Sequence, residues 1–130
     1  MAGEKVFYVE DNPQNRRLVQ VVLMAEDFEV ITAENGEEGL KMAPEVKPDL
    51  VLMDINLPDI DGYEVTTRLR KLEMFQDIPI LALTANAMAT DAERALKAGC
   101  DGHIAKPIDV DTLPHQLRDW LKKGRKKPQS

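Results

Sequence analysis

Residues 50–65 read LVLMDINLPDIDGYEV. Four apolar residues, Leu50–Met53, end on an acid, Asp54, and two more acids and a proline follow within a few positions. The run has the length and composition of a strand buried on both faces, as in a parallel sheet. A charge left without a partner at the tip of such a strand would be costly. Asp54 therefore either emerges at a surface edge or shares its charge with something nearby.

Outward from this stretch, short β-rich runs recur, each followed by a segment of helical periodicity. The expected strands are Lys5–Val9, Phe28–Thr32, Leu50–Met53, Ile78–Leu83 and Gly102–Ala105. Leu18, Val21, Val22 and Ala25 fall at helical spacing, and Val65, Leu69 and Leu72 nearly so. Met88, Ala92, Ala95 and Leu96 mark a fourth helix, and Leu113, Leu117, Trp120 and Leu121 a fifth. The second helix, near Glu37–Ala43, is short and meets Pro44. Asn35 can cap its start, and Gly99 can stop the fourth helix. Pro114 suits a last helix capped by Asp111 and starting at about Thr112.

Strands that alternate with helices predict an α/β fold with a doubly wound, five-stranded parallel sheet and helices on both faces. Right-handed crossovers and five units suit the flavodoxin-like order 2-1-3-4-5. At 130 residues the chain reads as one domain, residues 1–121, with a basic tail, 122–130, expected to be disordered.

Composition narrows the function. The tail KKGRKKPQS holds five of the 17 Lys and Arg and none of the 23 acids. The body up to Leu121 keeps twelve basic residues against those 23 acids, a net charge of −11. Such a body lacks the basic face that nucleic-acid binding needs. No apolar stretch reaches the length of a membrane span, and the acidic N-terminus does not suit a signal peptide. The single cysteine, Cys100, has no partner within the chain, which fits a reducing, cytoplasmic setting. The initiator methionine and the tail favour a whole protein over an excised module, an alternative that the sequence leaves open.

The polar residues then fall into place on the scaffold. Glu10 and Asp11 follow the first strand, Asp54 the third, Thr84 the fourth and Lys106 the fifth. In a parallel sheet all five residues share the carboxyl rim. Strands 1 and 3 are neighbours whose crossovers leave in opposite directions, and ligands bind in the crevice between such strands. Taken singly, Asp11 or Asp54 would read as a helix cap, Thr84 as a strand-end residue and Lys106 as a surface lysine. Together they make a site.

Three carboxylates this close repel, by roughly 4 kcal/mol per pair at about 4 Å and an effective dielectric near 20. The group must take up protons or a cation. Oxygen ligands without His or Cys favour a hard ion, and an open site suits Mg²⁺. An acid, a metal, an ammonium and a hydroxyl are the parts that steady a phosphoryl group in transfer, and an aspartate can be the nucleophile.

The segments VEDNPQN, KPDLVLMDINLPDIDGYEV, ILALTANAM and AGCDGHIAKPI resemble the receiver domains of two-component response regulators, from about Lys5 to Leu121. Both stand-alone receivers and the receiver modules of hybrid kinases share these features. The resemblance implies a phosphoryl group passed to Asp54 from a histidine of a sensor kinase or histidine phosphotransfer protein. Glu10 and Asp11 match the family's metal-binding acids, with the backbone carbonyl of Asn56 completing the protein ligands to Mg²⁺. Thr84 matches the switch hydroxyl, Lys106 the phosphate partner, and Lys106–Pro107 a bond that is usually cis. The output implied is binding to a downstream protein target, by a monomer or a phosphorylation-dependent dimer.

One position departs from the family. Receivers usually carry Tyr or Phe three residues before the lysine, as part of the switch, and this chain has His103. Either the imidazole is a tolerated, half-exposed side chain, or the read-out is polar and sensitive to pH near neutrality. Two other functions are conceivable for the constellation: a small Mg²⁺-dependent phosphatase with an aspartyl-phosphate intermediate, and a phosphorylation-independent binding module. The first lacks the nucleophile-plus-acid signature after the first strand, and the complete acid, threonine and lysine set argues against the second.

Overall fold

The computed structural model describes residues 3–85 and 89–123, the side chains of 89–92 excepted. Five strands, β1 (Lys5–Val9), β2 (Glu29–Ala33), β3 (Leu50–Asp54), β4 (Ile80–Thr84) and β5 (Gly102–Ala105), alternate with five helices. The helices are α1 (Pro13–Met24), α2 (Gly36–Val46), α3 (Gly62–Arg70), α4 (Ala89–Ala98) and α5 (Leu113–Lys123). A short 3₁₀ turn, Glu73–Phe75, precedes β4. All strand pairs are parallel and the order is β2-β1-β3-β4-β5, as the alternation predicts.

The central strands β3 and β4 are buried along their whole lengths. Their side chains alternate between two cores, one on each face of the sheet. Phe7, Val9, Val51, Met53, Ile80 and Ala82 meet Val65, Leu69, Phe75 and Ala95 on one face. Val6, Tyr8, Leu50, Leu52, Leu81 and Leu83 meet Val19, Leu23, Leu113 and Leu117 on the other.

Several expected boundaries move. β2 and β4 start later than expected, and β3 and β4 each gain a residue at the rim, so Asp54 and Thr84 are the last residues of their strands. The ladder continues there because Asp54 pairs with Leu83 and the Ile55 N–H donates to the Leu83 carbonyl. The second helix runs through Pro44 to Val46 and ends on Lys47 in the left-handed region, φ 52°. Only one intrahelical N–H is lost there, close to the helix end. Asn35 caps this helix as expected, accepting from the Glu38 N–H, and Gly99 turns the chain out of α4 at φ 108°.

The last helix begins at Leu113, one residue after the expected start, because Asp109 rather than Asp111 organises its entry. The Asp109 carboxylate accepts from the Asp111 N–H, and its carbonyl accepts from Thr112 and Leu113. The same helix continues to Lys123, past the expected domain edge at Leu121; residues 124–130 of the tail lie outside the described residues.

The apolar stripe of α1 is out of phase with expectation. Val19 and Leu23 face the core, whereas Leu18 and Val21 are 47% and 61% exposed. Apolar residues are nearly continuous over 18–25, so periodicity alone does not select a face there. Leu96 on α4 and Leu72 after α3 are likewise exposed; Met88 and the side chain of Ala92 lie outside the described residues.

Candidate functional site

The carboxyl rim of β1, β3, β4 and β5 gathers the expected residues. Glu10 and Asp54 are buried, at about 1% exposure each, Thr84 is buried, Lys106 is half-buried, and Asp11 and Asn56 are exposed. Each of Glu10, Asp11 and Asp54 offers a carboxylate oxygen within 4.8 Å of the other two. That distance and the all-oxygen donor set fit a hard divalent cation.

Lys106 closes the cluster from β5. Its Nζ lies 3.0 Å from Asp54 Oδ2 and 3.4 Å from Glu10 Oε1. Burial acts against its charge, but the hydrogen bond to Asp54 and the charges of Asp54 and Glu10 hold its pKa above the ordinary value. The other Asp54 oxygen, Oδ1, accepts the Asn56 N–H at 3.0 Å. The Lys106–Pro107 peptide is cis, and the Lys106 N–H donates to the Thr84 carbonyl, which ties the fifth strand's exit to the fourth.

Glu10 sits deepest. Burial first, then its hydrogen bond to Asp54 and the Asp54 charge, push its pKa up to about 7. The Tyr8 hydroxyl donates to Glu10 Oε1 at 2.9 Å, and the Asn12 N–H donates to Oε2 at 3.3 Å. The Tyr8 phenol is driven far above its ordinary pKa by burial and by the Glu10 charge, so it remains a donor at any working pH. Arg16 holds the Glu10 backbone from α1, its Nη1 donating to the Glu10 carbonyl at 2.8 Å.

The loop after Asp54 is fixed by a close approach. The Gly62 N–H donates to the Ile55 carbonyl at 3.0 Å, and a Cβ at Gly62 would overlap the Asp54 carbonyl oxygen and come within 2.8 Å of Ile55 Cα. Only glycine fits. The acids downstream have structural work: Asp61 caps α3 through the Tyr63 N–H, and Asp59 caps α2 from across the rim by accepting from Gly36 and Glu37. What burial Asp59 has acts upward, yet these backbone donors hold its carboxyl below the ordinary pKa.

Two openings flank the cluster. One, of about 220 Å³, is lined by Asn56, Asp61, Tyr63, Thr84, Ala85 and Arg94, with the Arg94 guanidinium 4.7 Å from the centre of the Tyr63 ring. The other, of about 410 Å³, is lined by Asn15, Leu18, Val19, Lys106, Pro107 and Ile108, with Ala85 common to both. His103 is exposed on β5, the edge strand of the sheet. Sequence reasoning placed every residue of the acidic cluster. It missed Tyr8, Arg16 and Gly62, whose roles appear only as distances. The alternation of a strand could have found Tyr8, since residues 8 and 10 point to one side.

Comparison with known proteins follows the same lines. The pattern of the response regulator receiver domain matches residues 6–118. The polar-differentiation response regulators DivK of Brucella anthropi and Brucella ovis are each 41% identical over 118 residues, covering 91% of this chain and 96% of theirs. Among solved structures, the receiver domain of sensor histidine kinase PA1611 from Pseudomonas aeruginosa, with a magnesium ion coordinated in its active-site cleft, is 36% identical. It superimposes with a TM-score of 0.85 over 93% of this chain and 99% of its own. The chemotaxis response regulator CheY4 of Vibrio cholerae is 30% identical, with a TM-score of 0.85 over 92% and 98% of the two chains.

Proposed function

The chain belongs to the response regulator receiver domain family, and from that premise we propose that Asp54 is the residue that accepts the phosphoryl group, from a phosphohistidine of a sensor kinase or phosphotransfer protein. The observation that carries this is the position of Asp54 at the end of the central strand, 3.0 Å from Lys106 and within ligand distance of Glu10 and Asp11.

One Asp54 carboxylate oxygen forms the new P–O bond as the donor's P–N bond breaks, and the electron pair of that bond leaves with the imidazole nitrogen. Lys106 pairs with a phosphoryl oxygen as the Asp54 charge is taken up in the acyl phosphate, and the Thr84 hydroxyl donates to another. Glu10, Asp11, Asp54 and the backbone carbonyl of Asn56 would hold Mg²⁺. When bound, the ion offsets the charge of the carboxylates and of the transferred group. The small Ala85 beside Thr84 leaves the acceptor open to a donor.

The exposed Leu18 on α1 lines the cleft bordered by Lys106 and Ile108, an apolar surface suited to the donor protein. The output is altered binding to a downstream protein, with Thr84 and His103 as the residues through which the rim reports to the β5 face. The chain is not a free enzyme in this reading; it assists only its own gain and loss of phosphate. The free thiol of Cys100 supports a cytoplasmic setting; no helix among the described residues is long and apolar enough to cross a membrane.

Incubation with a small phosphodonor such as phosphoramidate, with and without Mg²⁺, followed by intact mass, tests the assignment. One phosphoryl group gained by the wild type and none by Asp54→Asn is the expected result. Equal labelling of both would remove Asp54 as the acceptor.

A further inference from the structure

Tyr8 lies next to the end of β1 with no exposed surface, among Val6, Leu52, Leu83 and the other side chains of one core. Phenylalanine or leucine would satisfy such a place as well as tyrosine does. The hydroxyl is the part that packing does not require, and a buried hydroxyl needs a partner. Its partner is Glu10 Oε1, at 2.9 Å.

That bond has a consequence for the rim. A glutamate side chain turns about three single bonds, and orienting it costs conformational entropy. Glu10 is held at both oxygens, by Tyr8 and Lys106 at Oε1 and by the Asn12 N–H at Oε2. The lysine contact is the longest of these and comes from a long, flexible side chain. The phenol comes from a rigid ring anchored in the core. Of the two neighbouring acids, Asp11 is exposed and Glu10 is the one delivered in a set orientation.

We propose that Tyr8 is a positioning residue for the cation site: its hydroxyl fixes the Glu10 carboxylate so that one orientation is presented to a divalent ion. This rests on the reading of Glu10, Asp11 and Asp54 as the Mg²⁺ ligands. Hydrogen-bond partners behind a ligand commonly set metal affinity by about 10–100-fold.

Titration calorimetry of the whole chain with MgCl₂ tests it. Tyr8→Phe, which removes a single oxygen, should bind Mg²⁺ about tenfold more weakly. In small-phosphodonor labelling, the Mg²⁺ concentration at half-maximal rate should rise by a similar factor, while the rate at saturating Mg²⁺ stays within about twofold. Tyr8→Leu, also without the hydroxyl, should show the same weakening. Phe28→Leu is the control: it loosens the same core at the opposite end of the sheet and should leave Mg²⁺ affinity unchanged. Wild-type affinity in either Tyr8 variant overturns the proposal, as does equal weakening in Phe28→Leu. Failure of the wild type to bind Mg²⁺ at all removes the reading of the cation site and the proposal with it; binding that is indifferent to Tyr8 removes the proposal alone.

Discussion

Lys106 and Asp54 meet across an intervening strand: they leave β5 and β3, with β4 between them, and their charged atoms come within 3.0 Å at the rim. The ammonium is the cation that two buried carboxylates share, so its loss leaves both without a counter-charge. Lys106→Met should lower stability at pH 8 by about 1–3 kcal/mol. Chemical denaturation in the absence of Mg²⁺ measures this, and an unchanged midpoint would show that the pair contributes nothing.

The raised pKa of Glu10 predicts a pH dependence whose sign is fixed. An ordinary glutamate in the unfolded chain loses its proton near 4.5, whereas folded Glu10 keeps it until about 7. Between these values the folded state binds more protons, so stability from this group is full below about pH 4.5 and is lost as pH rises through 7. Thermal denaturation of the metal-free protein should show this decline, and Asp54→Asn, which removes one cause of the shift, should flatten it. Proton and metal compete for the same oxygens, so Mg²⁺ affinity should fall as pH drops below about 7. Calorimetry at pH 6 and 8 checks the second half.

At Gly62 even one methyl group meets the backbone of Asp54 and Ile55. Gly62→Ala should cost about 1–3 kcal/mol, the range for overpacking. The strain falls on the peptide of Asp54, the proposed acceptor, so labelling at saturating Mg²⁺ should slow as well. A variant with full labelling rate and unaltered thermal midpoint would contradict the close approach.

Arg70 supports the far side of the fold. Its guanidinium bonds the carbonyls of Gly99, Phe75 and Ile78 and pairs with Asp101 at 2.8 Å, with both side chains largely buried. Arg70→Met should cost about 3–5 kcal/mol, because Asp101 and the carbonyls are left inside without it. Asp101→Asn in the same chain should recover part of that loss in urea unfolding. No recovery would mean that the carbonyl bonds, not the ion pair, carry the effect.

Much of this arrangement was legible in the residue order because it follows from alternation. Five apolar runs separated by helical spacing imply a parallel sheet, and a parallel sheet puts Glu10, Asp11, Asp54, Thr84 and Lys106 on one rim. What alternation leaves open is phase. The run around Leu18–Ala25 is apolar on all sides, so its spacing points to Leu18 and Val21 as readily as to Val19 and Leu23, the buried pair. Likewise, only the folded chain shows that Asp59 caps a helix 22 residues away. Contacts of this kind depend on three-dimensional closeness and leave no local signature.

Asp54, the proposed acceptor, stands at the end of a strand held from both sides. β3 is laddered on both sides, and the backbone that follows Asp54 is wedged against Gly62. A group attached there cannot be accommodated by retreat of its own strand. The accommodation falls to what surrounds it: the Thr84–Ala85 end of β4, the lysine at the end of β5 and the helices they lead to. On the proposed reading Asp54 acts as an anvil, and the signal the domain sends is the displacement of its neighbours.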